Sequence, residues 1–172
     1  MRELEIKIED LAMEDAEALF QFELVNRSFF SSQVPDRGDD FFVYGNFLKR
    51  LALLLKEQEE GTSRFFLIKD TSGEILGRIN IADVDKNRVG ELGYRVGEIA
   101  AGKGVAGKAV RMLIEKVSAD GKIKGLTAKT TRNNIPSRKV LDKNGFKLER
   151  VEEAGAVYKG EKLDFFHYRL IF

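Results

Sequence analysis

The chain has no cysteine, two prolines and one histidine among its 172 residues. Without cysteine there can be no disulfide, no thiolate metal ligand and no covalent cysteine intermediate, a composition that suits the cytoplasm. A single histidine leaves zinc short of its usual ligands as well, so no metal is expected. The two prolines lie in no linker, and no repeat or low-complexity tract breaks the chain, so residues 1–172 are read as one domain. An excess of one charge is also missing. Lys+Arg at 29 against Asp+Glu at 28 leaves a net charge of +1, and no global field draws the protein to nucleic acid or to an anionic membrane. MRELEIKIED lacks the apolar run of a signal peptide, and no later stretch approaches the length of a bilayer span. A cytoplasmic protein, monomeric or homodimeric, is expected.

What is present is ordinary globular material, 43% hydrophobic and 33% charged. Leu4, Ile6 and Ile8 alternate with charges as a first strand, and Ala16, Leu19, Phe20 and Leu24 follow at helical spacing. After the loop SSQVPDRGDD, the stripe Tyr44, Phe47, Leu48, Leu51, Leu54 and Leu55 predicts a second helix ending near Gly61. RFFLIKD and EILGRINIADVD read as a hairpin turning at Thr71 to Gly73, with VGELGYRVGE as the third strand of a meander. Val105, Ala109, Val110, Leu113, Ile114 and Val117 mark a helix closing near Asp120-Gly121. GLTAKTT is a strand. NIPSRKVLDKNG is a short helix, with Asn134 as its cap, Pro136 in its first turn and Gly145 as its left-handed end. FKLERVEEA and EKLDFFHYRLIF close the chain as antiparallel strands. The pattern is α+β, a mostly antiparallel sheet with one β-α-β unit between two hairpin regions.

The stretch GEIAAGKGVAGKAV fits two phosphate-binding templates. From Gly97 it reads G-x-x-x-x-G-K, but the P-loop hydroxyl that ligates magnesium is replaced by Gly104. From Gly102 it reads G-x-G-x-x-G, but the next strand ends in Thr130, Thr131 and Arg132 where the dinucleotide fold places an acid, and the preceding antiparallel meander disagrees with a Rossmann half. What survives is the physics shared by both templates. Closely spaced glycines let main-chain N–H groups approach an anion, and the following helix offers its positive end; the alternative is a plain glycine turn.

ELGYRVGEIAAGKGVAGKAVRMLIE followed by TTRNNIPSRKVLDKNGFKLE resembles the acetyl-CoA-binding core of the GNAT acetyltransferase superfamily. Within it, the branch that acetylates N-termini of ribosomal proteins is the most similar, nearly end to end, including RINIADV and the closing YKGEKLDFFHYRL. The resemblance implies a splayed, mostly antiparallel sheet of about seven strands flanked by about four helices. It places the pyrophosphate loop at Ala101, Gly102, Lys103, Gly104, Val105 and Ala106. One departure is Ala101, where the family usually carries glutamine or arginine; main-chain amides, the helix end and Lys103 or Lys108 are left to hold the anion. Tyr94, Arg95 and Val96 match the segment whose main chain pairs with pantetheine as an added strand.

The chemistry implied is attack of an amine on a thioester, through an oxyanion held by a main-chain N–H near Val96. An α-amine, with a pKa of about 7.7 to 8.0, is an easier acceptor than a lysine at about 10.4. Glu91 matches the proton acceptor, directly or through water, although a solvent-facing strand carboxylate is the alternative. Ser137 matches the group that protonates the leaving thiolate, and Asn134 both caps its helix and meets the pantetheine arm. Arg132, Arg138, Lys139 and Lys143 are read mainly as solvated helix charges, with contact to the nucleotide phosphates of the cofactor as the alternative. His167, on a strand and without a nucleophile elbow in the chain, is read as packed. Phe29, Phe30, Phe41, Phe42 and Tyr44 are core or the wall of a substrate cleft. The segment Ser28 to Asp40 is expected to line the acceptor cleft, with only Asp36, Asp39 and Asp40 as acids. The acceptor implied is a protein N-terminus; the alternatives are a small amine of the polyamine or aminoglycoside type, or a non-catalytic acyl-CoA-binding module.

Overall fold

The computed structural model describes residues 3–172. Seven strands form one sheet in the order β1-β2-β3-β4-β5-β7-β6. They are β1 Ile6–Asp10, β2 Arg64–Asp70, β3 Ile75–Ala82, β4 Val89–Val96, β5 Gly125–Thr131, β6 Lys147–Tyr158 and β7 Glu161–Ile171. Only β4 and β5 pair in parallel, across a crossover helix, and every other pair is antiparallel. The helices are α1 Ala16–Val25, α2 Arg27–Ser31, α3 Tyr44–Glu60, α4 Val105–Asp120 and α5 Ile135–Lys143. This is the mixed, mostly antiparallel architecture expected from the sequence, with the five-residue α2 as an addition.

Alternation along β2 explains the layering. Phe66 and Ile68 point to one face, where they meet Ile79, Ile81, Leu113 and Leu126; Phe65 and Leu67 point to the other, where they meet Leu19, Phe47 and Leu51. α4 and α5 cover the first face, and α1 and α3 the second. A strand buried on both faces must be apolar at consecutive positions, which is why RFFLIKD reads as an unbroken run.

Two details of the sequence reading change. Leu24 is 37% exposed, while Glu23, one residue earlier, is 1% exposed: the inward stripe of α1 runs Ala16, Leu19, Phe20, Glu23, and a carboxylate occupies a core position. The first strand of the closing hairpin also continues past Ala154 to Tyr158. The aromatic residues divide as well. Phe30 and Phe41 are buried, whereas Tyr44 is 41% exposed and tilts against Phe20.

α4 is anchored by Ala109, Val110, Leu113 and Val117, all fully buried. Leu113→Ala is expected to cost about 3 kcal/mol through lost burial and the cavity left behind, and thermal unfolding should begin roughly 6 to 12 °C lower.

Candidate active site

β4 and β5 are paired only at Val89↔Gly125, Gly90↔Leu126 and Glu91↔Thr127. Beyond Glu91 they part. β4 stays bound to β3 as far as Val96 and β5 to β7 as far as Thr131, so each prong of the fork keeps one partner and turns a bare edge to the gap. Main-chain N–H and C=O groups on such an edge need water or a ligand as partners. This is the splay that the resemblance implied.

The exit from β4 is fixed by Asn26. Its Oδ1 accepts the Glu98 N–H at 2.9 Å and its Nδ2 donates to the Phe22 carbonyl at 2.9 Å. Gly97 passes so close beneath that a Cβ there would lie 2.9 Å from the Phe22 ring. The loop then reaches Gly102 and Gly104 with φ of 73° and 77°, values that strain any side-chain-bearing residue. Gly104 is the N-cap of α4 and no side chain caps that end, so its first amides are free for an anion. Space is open above both glycines. Val105 is buried and pins the helix start, Ala106 is half-buried, and Ala101 and Lys103 are exposed. Lys108 donates to the Leu4 carbonyl at 3.3 Å, so of the two lysines considered for the anion Lys103 is the one whose ammonium is unengaged among the described residues.

On the opposite prong, Asn134 Oδ1 accepts the Ser137 N–H at 3.2 Å and caps α5 as expected. The sequence reading did not foresee the next contact: Tyr94 Oη and Ser137 Oγ lie 3.0 Å apart across the gap. Burial pushes the Tyr94 phenol above its ordinary pKa, partly offset by the bond to Ser137, so it stays protonated at neutral pH. Arg138, read as solvated, instead lies 4.6 Å from the Phe166 ring and donates to the Arg132 carbonyl, with its Nε buried and unpartnered among the described residues. Arg132 pairs loosely with Asp164.

The faces of β4 separate these groups. Leu92, Tyr94 and Val96 belong to the core on the α4 side; Glu91, Gly93 and Arg95 therefore face α1 and α3. Glu91 is exposed at the apex of the fork. Farther along that face is a cleft of about 340 Å³ bordered by Arg37, Phe65, Arg78, Asn80, Tyr94 and Arg95. The buried Glu23 carboxylate accepts from Arg78 at 2.9 Å and Arg95 at 3.4 Å. Of the segment Ser28 to Asp40, Arg37 borders this cleft, and Ser31, Asp36 and Arg37 border a smaller pocket beside it. Two of the segment's three acids are engaged, however, since Arg27 binds Asp36 and Asp39, each at 2.8 Å, and the Asp36 carboxyl is held below its ordinary range by that contact. At the side, Tyr158 of the closing hairpin donates to the Ser31 carbonyl at 2.5 Å. His167 is away from this site, 3.0 Å from Glu152.

Glu23, Arg37, Arg78 and the Tyr94 hydroxyl were not singled out as site groups from sequence. Glu23 carried a usable signal, because it lies four residues after Leu19 on the apolar stripe, where a carboxylate requires a buried cation.

Among the described residues no three His, Cys, Asp or Glu are grouped to hold a metal ion, and no helix is long and apolar enough to cross a membrane. Over 158 residues the chain is 24% identical to the probable N-acetyltransferase YjcK of Bacillus subtilis, covering 90% of this chain and 87% of that protein. Its fold superposes on the ribosomal-protein-S5-alanine acetyltransferase of Vibrio fischeri with a TM-score of 0.89 at 21% identity, covering 99% of this chain and 95% of that one. It also superposes on RimL, a ribosomal L7/L12 alpha-N-protein acetyltransferase in complex with coenzyme A, at a TM-score of 0.87 and 19% identity, with 97% and 94% covered. The model of the acetyltransferase (GNAT) domain matches residues 6–147, and the chain, forked sheet and glycine cradle included, belongs to that family as a GNAT-type N-acetyltransferase.

Proposed function

We propose that the protein moves the acetyl group of acetyl-CoA to the α-amine of a protein N-terminus, such as that of a ribosomal protein, by direct attack in a ternary complex. The observation that carries this is the bare edge of β4 beyond Glu91 leading into the glycine cradle at Ala101 to Ala106. That geometry suits a pantetheine arm added as a strand and a pyrophosphate at the start of α4. The two ribosomal-protein acetyltransferases of like fold favour the acceptor. On this reading residues 1–172 act as one catalytic domain in the cytoplasm. A polyamine or aminoglycoside fits less well, because the cleft is bordered by arginines and its nearby carboxylates are already paired.

The thioester supplies an activated carbonyl. The main chain of Tyr94, Arg95 and Val96 orients it, and an N–H near Val96 receives the negative oxygen as the C–N bond forms. Glu91 takes the proton lost by the amine, directly or through one water. As the C–S bond breaks, Ser137 gives its hydrogen bond or proton to the sulfur and is resupplied by Tyr94 at 3.0 Å. Asn134 holds the arm beside Ser137 with the part of its amide not used in capping.

Free thiol release from acetyl-CoA with a pool of N-terminal peptides and amines is the direct test. Turnover with peptides supports the proposal, and tight CoA binding without turnover on any acceptor would make the chain a binding module. Ser137→Ala should lower kcat about ten-fold or more while the CoA Kd stays within about two-fold; the reverse would remove the assigned role. Glu91→Gln should lower kcat/KM near neutral pH by about a hundred-fold, the deficit shrinking as pH passes the amine's own pKa of about 8. Ala101→Gln, by restoring a side-chain donor at the loop, should tighten CoA about three- to ten-fold in calorimetry.

A further inference from the structure

We infer that the acceptor carries an anionic group, a carboxylate or a phosphate, which binds Arg37, Arg78 and Arg95 in the cleft beside β4 while its amine lies toward Glu91. This rests on the acetyltransferase reading of the same site and specifies its substrate class.

The charge of the cleft is unbalanced. Three guanidiniums border it and no carboxylate does. Glu23, beneath, is a single negative charge divided between Arg78 and Arg95, one oxygen to each. Asp36 and Asp39 are held by Arg27. A guanidinium has five N–H donors in a planar fork, and one contact with Glu23 leaves most of each fork for a ligand. Arg37 makes no ion pair among the described residues; withdrawal from water, with the neighbouring charges of Arg95 and Arg78 adding to it, pushes its pKa down to about 10. An anion relieves that crowding of like charge.

The donors are also positioned in advance. Arg95 lies 4.3 Å from the Phe30 ring centre and Arg37 4.8 Å from that of Phe41, stacking that fixes a guanidinium plane. Arg78 and Arg95 are direct cross-strand partners, and like charges directly opposite are unfavourable without a bridging anion. Glu23 bridges them from the α1 side only.

The trough between base and arginines has a length. Glu91 and Arg95 share a face of β4 four residues apart, roughly 13 Å along the strand. Gly93, between them, presents no side chain and lies opposite Asn80. An extended N-terminus advances about 3.3 Å per residue, so an acidic second or third residue, with the length of its own side chain added, brings an anion toward Arg95 while the amine stays toward Glu91. A short anionic amine is the other source of the same chemistry.

The test compares peptides beginning Ser or Ala with Glu, phosphoserine, Gln or Lys at positions two and three, and free glutamate as the small acceptor. Two readouts are used: kcat/KM by thiol release, and calorimetric binding of each probe to CoA-loaded protein. Acidic peptides are expected to exceed Gln peptides by about ten-fold and Lys peptides by more, with the advantage falling as salt rises. Arg37→Gln, which leaves the Glu23 pairs in place, should cut the acidic-to-neutral ratio about three-fold or more; Arg78→Lys, which keeps a cation beside Glu23, should cut it too. Preference for glutamate over every peptide supports the anionic site with a small-molecule source. Equal use of Glu and Gln peptides, a preference for Lys, or a ratio untouched by Arg37→Gln overturns the inference while leaving acetyl transfer intact. Where no probe is turned over, acidic peptides binding no better than neutral ones overturns it as well, and loss of CoA binding separately removes the acetyltransfer reading.

Discussion

The parting of two parallel strands organises this protein. β4 and β5 hold together for three residue pairs and then diverge. Because they are parallel, their C-terminal ends open in the same direction, and the elements that follow, the glycine loop with α4 and the turn with α5, both begin at the mouth of the gap. Two helix N-termini thus flank one bare strand edge: that of α4, with main-chain amides to spare, and that of α5, whose first amides are taken up by Asn134 and the preceding turn. An antiparallel neighbour for β4 on this side would have filled the edge with its own backbone and carried the next helix to the other end of the sheet. The anion cradle, the extended binding edge and the gap follow from one topological choice.

The pleat of β4 then divides the chemistry. Its even positions place Tyr94 against the α4 side, within reach of Ser137 on α5, and its odd positions place Glu91 and Arg95 toward α1 and α3. On the proposed reading, the group that receives the amine's proton and the groups that supply the sulfur's proton lie on opposite faces of one strand, with the thioester at the edge between them. Here the backbone separates them, and burial holds the tyrosine in its donor form.

Most of this architecture was legible in the sequence because it depends on local patterns. Alternation marked the strands, the apolar stripes marked α3 and α4, and Gly61, Asn134 and Gly145 marked helix ends that the backbone realises. What escaped depends on contacts distant in sequence. Tyr94 meets Ser137 across 43 positions, and Arg78 meets Glu23 across 55. No periodicity announces which arginine of a strand faces which helix. The short α2 escaped for another reason: five residues are too few to display a period. Glu23 stands between these cases, since its place on the stripe was visible while its partners were not.

Glu23 also bears on why the cleft is built from charge. A buried ion cluster seldom stabilises a fold relative to apolar side chains of similar size, because desolvation offsets most of the attraction. A leucine at position 23 would fill the space between Leu19 and the sheet at lower cost, but Arg78 and Arg95, paired side by side across two strands, would then repel each other and turn outward to water. With the carboxylate beneath them, they are held side by side at the border of the cleft, each with donors left over from its contact with Glu23. The cost of burying one carboxylate is thereby converted into a fixed orientation of two guanidiniums, which is what a ligand with a planar or tetrahedral anionic group requires, and which nothing in the packing of the core by itself requires.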